Sequence, residues 1–180
     1  MRETWWHVTW TTYGSWFPGD PRGFRTWRGR EYVPPPKRYA ARGEATYDAS
    51  KYADRYRAAR EVVDLPVLLT PQQQRIVLTT LVAEIEVMKL DSAIISLGPH
   101  HVHWLARFGA QPIRQTVGRL KAAATRQLNA TGFVGKRPWS KNCHMRSKST
   151  EREFQDTRAY IRRHDSQDHV SQEWQVGGFG

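Results

Sequence analysis

Residues 98–108 read GPHHVHWLARF: three histidines within four residues, then a mostly apolar run. If this is a strand, side chains two apart share a face, so His101 and His103 project together, about 6–7 Å apart along the backbone. His100 and Val102 then point the other way. The preceding run DSAIISL (91–97) also reads as a strand, and Gly98-Pro99 turns the chain between them, so the pair makes a hairpin. Two imidazoles on one ion leave coordination positions open, as in a catalytic rather than a closed structural site. A bare His-x-His serves equally well as a strand that binds nothing, and the rest of the chain must decide.

Upstream of the hairpin, Thr70 is a good N-cap, Pro71 suits the first helical position and Gln73 completes a capping box. Val77, Leu81, Ile85 and Met88 then repeat at helical spacing to Leu90, which is a core stripe. Trp5–Thr12 alternates as a strand, with Trp6, Val8 and Trp10 on one face and Trp5, His7 and Thr9 on the other. Large side chains on both faces predict a central strand covered on both sides. Between these elements, at about 14–66, lies an insertion that contains WFPGDPRGFRTWRGREYVPPPK. A structureless loop of that length is unusual in a compact domain, and one short helix is expected near Ser50–Val63. Arginines interleaved with Trp and Phe suit base stacking and phosphate binding, or simply packing of the loop.

Downstream, Pro112–Asn129 reads as a helix with Ile113, Val117, Leu120, Ala124 and Leu128 inward. Residues 131–148 form a basic loop broken by Gly and Pro, with one strand at most. A last helix starts at Thr150, whose pairing with Glu153 is a capping-box signature, and runs to about His164. The tail EWQVGGFG is read as a short strand or a loose end. The order β, insertion, α, β, β, α, basic loop, α predicts one α+β domain over 1–180 with a mainly antiparallel sheet.

Charge points to the partner. The formal net charge is +11. Fourteen Lys/Arg lie between Arg107 and Arg163 against Glu151, Glu153 and Asp156, so this segment carries the whole imbalance. A polyanion, nucleic acid first, is the expected partner. The candidate phosphate contacts are Arg114, Arg119, Lys121, Arg126, Lys136, Arg137, Lys141, Arg158, Arg162 and Arg163. No stretch of about 18 apolar residues exists, so no membrane span is expected. The N-terminus lacks the pattern of a secretory signal. Cys143 is the only cysteine, which excludes an intrachain disulfide and makes the cytoplasm the default compartment.

The last helix offers a nucleophile. In TRAYIRRH (157–164) Tyr160 and His164 are four apart and share a helical face. Tyrosine is a weak nucleophile with an ordinary pKa of about 10. It becomes competent where cations and a metal stabilise its oxyanion and activate the electrophile.

Four stretches together resemble the single-tyrosine HUH transposases, including the REP-associated tyrosine transposases. WWHVTWTTYGSWFPGDPRG resembles the family's first strand and its continuation, and LGPHHVHWLARF its His-hydrophobic-His strand. IRQTVGRLKAAATRQLN resembles the following helix, and TRAYIRRH the tyrosine helix. They span most of the chain outside the insertion. Two positions depart from the pattern: His100 stands where Asn is usual, and His164 where Gln or Asn is usual. Imidazole is a competent ligand, and the second departure moves the expected metal preference toward softer ions.

The resemblance implies a ferredoxin/RRM-like antiparallel sheet with helices on one face, the HUH strand central and the tyrosine on a C-terminal helix. It implies that His101, His103 and His164 hold one Mg²⁺ or Mn²⁺. Tyr160 would attack single-stranded DNA, leaving a 5′-phosphotyrosine and a free 3′-OH. The implied partner is single-stranded or hairpin DNA, and the implied state a homodimer, with a monomer as the alternative. His7 is expected to pack beside the His pair without ligating. His144 and Cys143 have no assigned role. Two other readings remain: a domesticated protein that binds DNA hairpins without cutting, and a metallohydrolase using a metal-bound water. The second would need a base near the pair that the sequence does not offer.

Overall fold

The structure is a computed structural model, described for residues 4–17, 19–21, 23–25, 32–33, 47–61, 66–135, 137–164 and 168–176. In chain order the elements are β1 (Trp5–Thr11), β2 (Phe24–Arg25), β3 (Tyr32–Val33), α1 (Ala49–Glu61), α2 (Pro71–Val87), β4 (Ser92–Leu97), β5 (His101–Ala106), α3 (Ile113–Ala130), β6 (His144–Lys148), α4 (Glu151–His164) and β7 (Val170–Glu173). Two compact units result, one of residues 1–12 and 67–180 and one of 13–66. Among the described residues no helix is long and apolar enough to cross a membrane.

The first unit is a five-stranded sheet in the order β6-β1-β5-β4-β7, with every pairing antiparallel. Leaving aside β7, the run β1-α2-β4-β5-α3-β6 is the βαββαβ arrangement of ferredoxin-like folds. The histidine strand β5 is therefore central, between β1 and β4. Alternation assigns its two faces. Val102, Trp104 and Ala106 join Val8 and Trp10 of β1 in the main core, together with Val77, Leu81 and Ile85 of α2 and Val117, Leu120, Ala124 and Leu128 of α3. Each such side chain, fully buried, stabilises the fold by about 1.5–3 kcal/mol.

The capping box expected at Thr70 is present, with Gln73 N–H donating to Thr70 Oγ1 and Thr70 N–H to Gln73 Oε1. The one at Thr150 is present too, with Glu153 N–H donating to Thr150 Oγ1 at 3.2 Å and Thr150 N–H to Glu153 Oε2 at 3.3 Å.

Helices on one face describes α2 and α3. The fourth helix takes the other face, where Phe154 and Ile161 of α4 pack on Trp5, Ala93, Ile94 and Leu105. The reason is compositional. Trp5 and Leu105 present apolar surface at one end of that face, and α4 buries only Phe154, Thr157 and Ile161. The tail strand also differs from expectation. It forms at Val170–Glu173, ahead of most of EWQVGGFG, and adds to the free edge of β4.

The second unit has its own small core of Phe24, Val33 and Tyr52, with Tyr47 packed against it. Its helix starts at Ala49, with Asp48 Oδ1 accepting from Ser50 N–H at 2.9 Å. It ends at Glu61, so Val63 of the expected stripe lies outside the described residues. Gly19 is required here. Its φ is +87°, and a Cβ would stand 2.6 Å from the Tyr52 carbonyl oxygen.

Candidate functional site

Register shows what surrounds the two histidines. His103 stands opposite Thr9 and His101 opposite Thr11. On the far side of β1, His144 pairs with Thr9, Arg146 with His7 and Lys148 with Trp5. Directly opposed residues share a face, so His7, His101, His103, His144, Arg146 and Lys148 all belong to the face that α4 crosses. The i, i+2 pattern of His144, Arg146 and Lys148 carried this signal, but in a loop broken by Gly and Pro it did not fix the face.

Helix α4 brings Tyr160 and His164 over this face, their rings 4.7 Å apart as i, i+4 neighbours. The Tyr160 ring lies 5.5 Å from that of His103 and 6.2 Å from that of His7. Tyr160 is 42% exposed. His7, expected beside the pair, is hydrogen-bonded through Nε2 to Nδ1 of His103 at 3.0 Å. That bond leaves His103 Nε2 for other partners.

The sequence set His101, His103 and His164 is brought together, with ring centres 4.7 Å (His101–His103), 5.5 Å (His101–His164) and 4.7 Å (His103–His164) apart. A further imidazole joins them. His169, immediately before β7, lies 5.1 Å from His101 and 5.2 Å from His164 between ring centres. The group whose ligand atoms all fall within 4.8 Å of one another is His101, His164 and His169, while the His103 ring centre lies 4.7 Å from each of those of His101 and His164. Sequence spacing gave no signal for His169, because only the β4–β7 ladder returns the chain to the site.

The electrostatics keep His7, His101 and His103 neutral at neutral pH. Burial, then the neighbouring His100, His169 and His164, hold His101 down to about 3. Burial, then His101, His7, His164 and His169, hold His103 down to about 2. Burial, then Lys148, His144, Arg146 and His164, lower His7 to about 4. His164 is lowered as well, by burial, His169 and Arg163. Neutral imidazoles keep the lone pairs that metal ligation uses. Nε2 of His164 is covered and has no hydrogen-bond partner among the described residues. An orphaned buried nitrogen is costly, and an ion among these rings would satisfy it. The donor set therefore fits a divalent metal.

The candidate phosphate contacts separate into two groups. Arg158 Nε donates to Glu173 Oε1 at 2.6 Å, and Arg162 Nε to Glu173 Oε2 at 2.9 Å. Both arginines thereby tie α4 to β7. Arg119 pairs with Glu84 of α2 at 2.9 Å. Lys121 donates to the carbonyls of Ser140 and Asn142 at 2.9 and 3.0 Å, and burial lowers it to about 8. Arg114, Arg126, Arg137, Lys141 and Arg163 are exposed, and Arg114 and Lys141 line a cleft with Lys121 between α3 and the basic loop. Lys136 lies outside the described residues.

No protein-family model and no curated protein matches the sequence. Among solved structures, the chain is similar to a REP-associated tyrosine transposase bound to a REP hairpin, with a TM-score of 0.50 and 10% identity. The likeness covers 92% of this chain and 68% of that one. At this identity it is a likeness of fold.

Proposed function

We propose that this chain is a metal-dependent, single-tyrosine strand transferase acting on single-stranded or hairpin DNA. The observation that carries the reading is Tyr160, 42% exposed, on the histidine face with its ring 5.5 Å from His103 and 4.7 Å from His164. A tyrosine used only for packing has no need of this place. The fold shared with a hairpin-bound tyrosine transposase supports the same reading.

The roles follow from the chemistry of each group. A divalent ion, Mg²⁺ or Mn²⁺ in the resembling family, supplies Lewis-acid activation of the scissile phosphate when bound. His101, His103 and His164 would hold it through neutral nitrogens. His7 would accept the Nδ1 proton of His103, fixing the tautomer that turns Nε2 toward the ion. Tyr160 Oη would attack phosphorus. A Tyr–O–P bond forms, the P–O3′ bond breaks, the tyrosine proton is lost and the 3′-oxygen gains one. The phosphoester energy is retained, so the 3′-OH can reverse the step and rejoin strands. Arg146, exposed on the same face, and the exposed Arg114, Arg126, Arg137, Lys141 and Arg163 would meet the DNA backbone.

The test is covalent trapping. Labelled hairpin DNA supplied in turn with Mg²⁺, Mn²⁺ and Co²⁺ should give, with at least one of these ions, a denaturant-resistant adduct that disappears in Tyr160→Phe and in the His101→Ala/His103→Ala double variant. Tight binding with no adduct across many hairpins would favour the non-cutting binder. Cleavage that survives Tyr160→Phe would favour a metal-bound water.

A further inference from the structure

We infer that His169 is an additional ligand in the histidine cluster, making it an imidazole-rich centre for a borderline transition-metal ion rather than for Mg²⁺. The inference rests on the reading that the cluster holds a divalent ion. It does not depend on what Tyr160 does.

Geometry comes first. Two imidazoles bound to one ion through nitrogens at about 2.1 Å have ring centres roughly 4.6–5.3 Å apart, from the octahedral to the tetrahedral angle. His169 lies 5.1 Å from His101 and 5.2 Å from His164, within that range. It fits the range better than the 5.5 Å between His101 and His164 themselves. The converging set also contains histidines alone, His101, His164 and His169.

The seat of His169 is built. Leu97 pairs with Val170 across the β4–β7 ladder, so the residue before Val170 arrives beside Gly98. There the imidazole occupies the space a side chain would fill, since a Cβ on Gly98 would stand 2.2 Å from His169 Nε2 and 2.5 Å from Cδ2. Gly98 is not among the glycines with positive φ. Its missing side chain therefore gives room to the ring and is not needed for backbone conformation. Glu173, held by Arg158 and Arg162, fixes the far end of β7 to α4, the helix that carries His164. His169 is thus placed by the sheet edge.

Ligand chemistry assigns the ion. Mg²⁺ demands oxygen ligands in near-octahedral geometry and gives up water reluctantly. Imidazole nitrogens suit ions of the Zn²⁺, Co²⁺ and Ni²⁺ type, whose affinity for nitrogen donors is higher. Each added imidazole widens that difference.

The experiment titrates metal-free protein with Co²⁺ and follows its visible absorption, whose position and intensity report ligand type and number. Wild type should bind Co²⁺, keep the absorption in a large excess of Mg²⁺, and lose it in His101→Ala. His169→Ala and Gly98→Ala should each weaken Co²⁺ by at least about tenfold and alter the spectrum. Gly98→Ala keeps the histidine and only displaces it, so it tests the seat even if His169→Ala misfolds. Wild-type affinity and spectrum in both variants, with His101→Ala failing, would overturn the role of His169 while leaving the metal centre in place. Wild-type binding in all three would overturn the metal centre with it. Displacement of Co²⁺ by Mg²⁺ would overturn the assigned ion class.

Discussion

Phe154→Ala should release α4 from the sheet and carry Tyr160 and His164 away from the histidine face. Phe154 is 2% exposed, with its ring 4.8 Å from that of Trp5. Apart from Thr157 and Ile161, it is the only buried side chain α4 offers the sheet. Truncating a buried Phe costs about 3–5 kcal/mol. The burial of Ile161 that remains contributes only about 1.5–3 kcal/mol. The Arg158 and Arg162 pairs with Glu173 are partly exposed, with Arg158 at 19%, Arg162 at 54% and Glu173 at 33%. Pairs of that kind contribute about 0–1 kcal/mol. A helix of 14 residues, as α4 is, is marginal in water without packing, since isolated helices need about 12–15 residues or more even in good sequences. The apolar term therefore decides, and the variant should lose hydrogen-exchange protection in α4 while β5 stays protected. Co²⁺ affinity should fall with it, because His164 leaves. Retained α4 protection would refute the claim that Phe154 docks the helix. Lost protection with unchanged Co²⁺ absorption would refute His164 as a ligand.

Other consequences are simpler to read. Burial raises the Glu173 carboxyl, but its bond to Arg162 and the charges of Arg158 and Arg162 outweigh that and leave it below the ordinary 4.5. A depressed carboxyl contributes stability above its unfolded value that is lost as pH falls through the folded one. Glu173→Gln should therefore lower the denaturation midpoint at neutral pH, and the gap from wild type should narrow as the pH falls below about 4.5 and close below the folded value; a gap that does not narrow in acid would contradict it. Thr70→Ala should cost about 1 kcal/mol through loss of the α2 cap, read as an unfolding midpoint, and should leave Co²⁺ binding untouched. If the exposed cations contact phosphates, Arg126→Ala and Lys141→Ala should each reduce the salt slope of hairpin binding by about 1; Arg119→Ala, whose charge is already met by Glu84, should change the slope less.

How much of this was legible in the sequence depends on how local the signal is. Trp5–Thr11 and His101–Ala106 announce their faces because a period of two is written in consecutive residues. The caps at Thr70 and Thr150 span three residues and were equally plain. Tyr160 and His164 could be paired from helical spacing alone. His169 could not, since its position depends on β7 pairing with β4 across more than 70 residues of chain. The partners of Arg158 and Arg162 were hidden for the same reason: a basic run advertises charge, but not that a single Glu173 accepts from both. The placement of α4 on the opposite face follows from Trp5 and Leu105, apolar residues on the histidine side whose need for a cover was visible only once the register was known.

That opposition of faces explains why a strand so central can carry imidazoles. One side of β5 gives Val102, Trp104 and Ala106 to a core covered by α2 and α3, and this side holds the sheet together. The other side has apolar packing only at the Trp5 and Leu105 end, with His101 half-buried and His103 buried beside it. Burial there is deep enough to hold the imidazoles neutral, yet Tyr160 stays 42% exposed at the margin. A site buried more fully would close the tyrosine to a DNA strand. One more open to water would let the histidines charge and lose their lone pairs to protons. The docking of α4 by two apolar side chains sets the cover between those limits, so the same weak helix–sheet contact that limits stability is what keeps nucleophile and ligands together at an accessible surface.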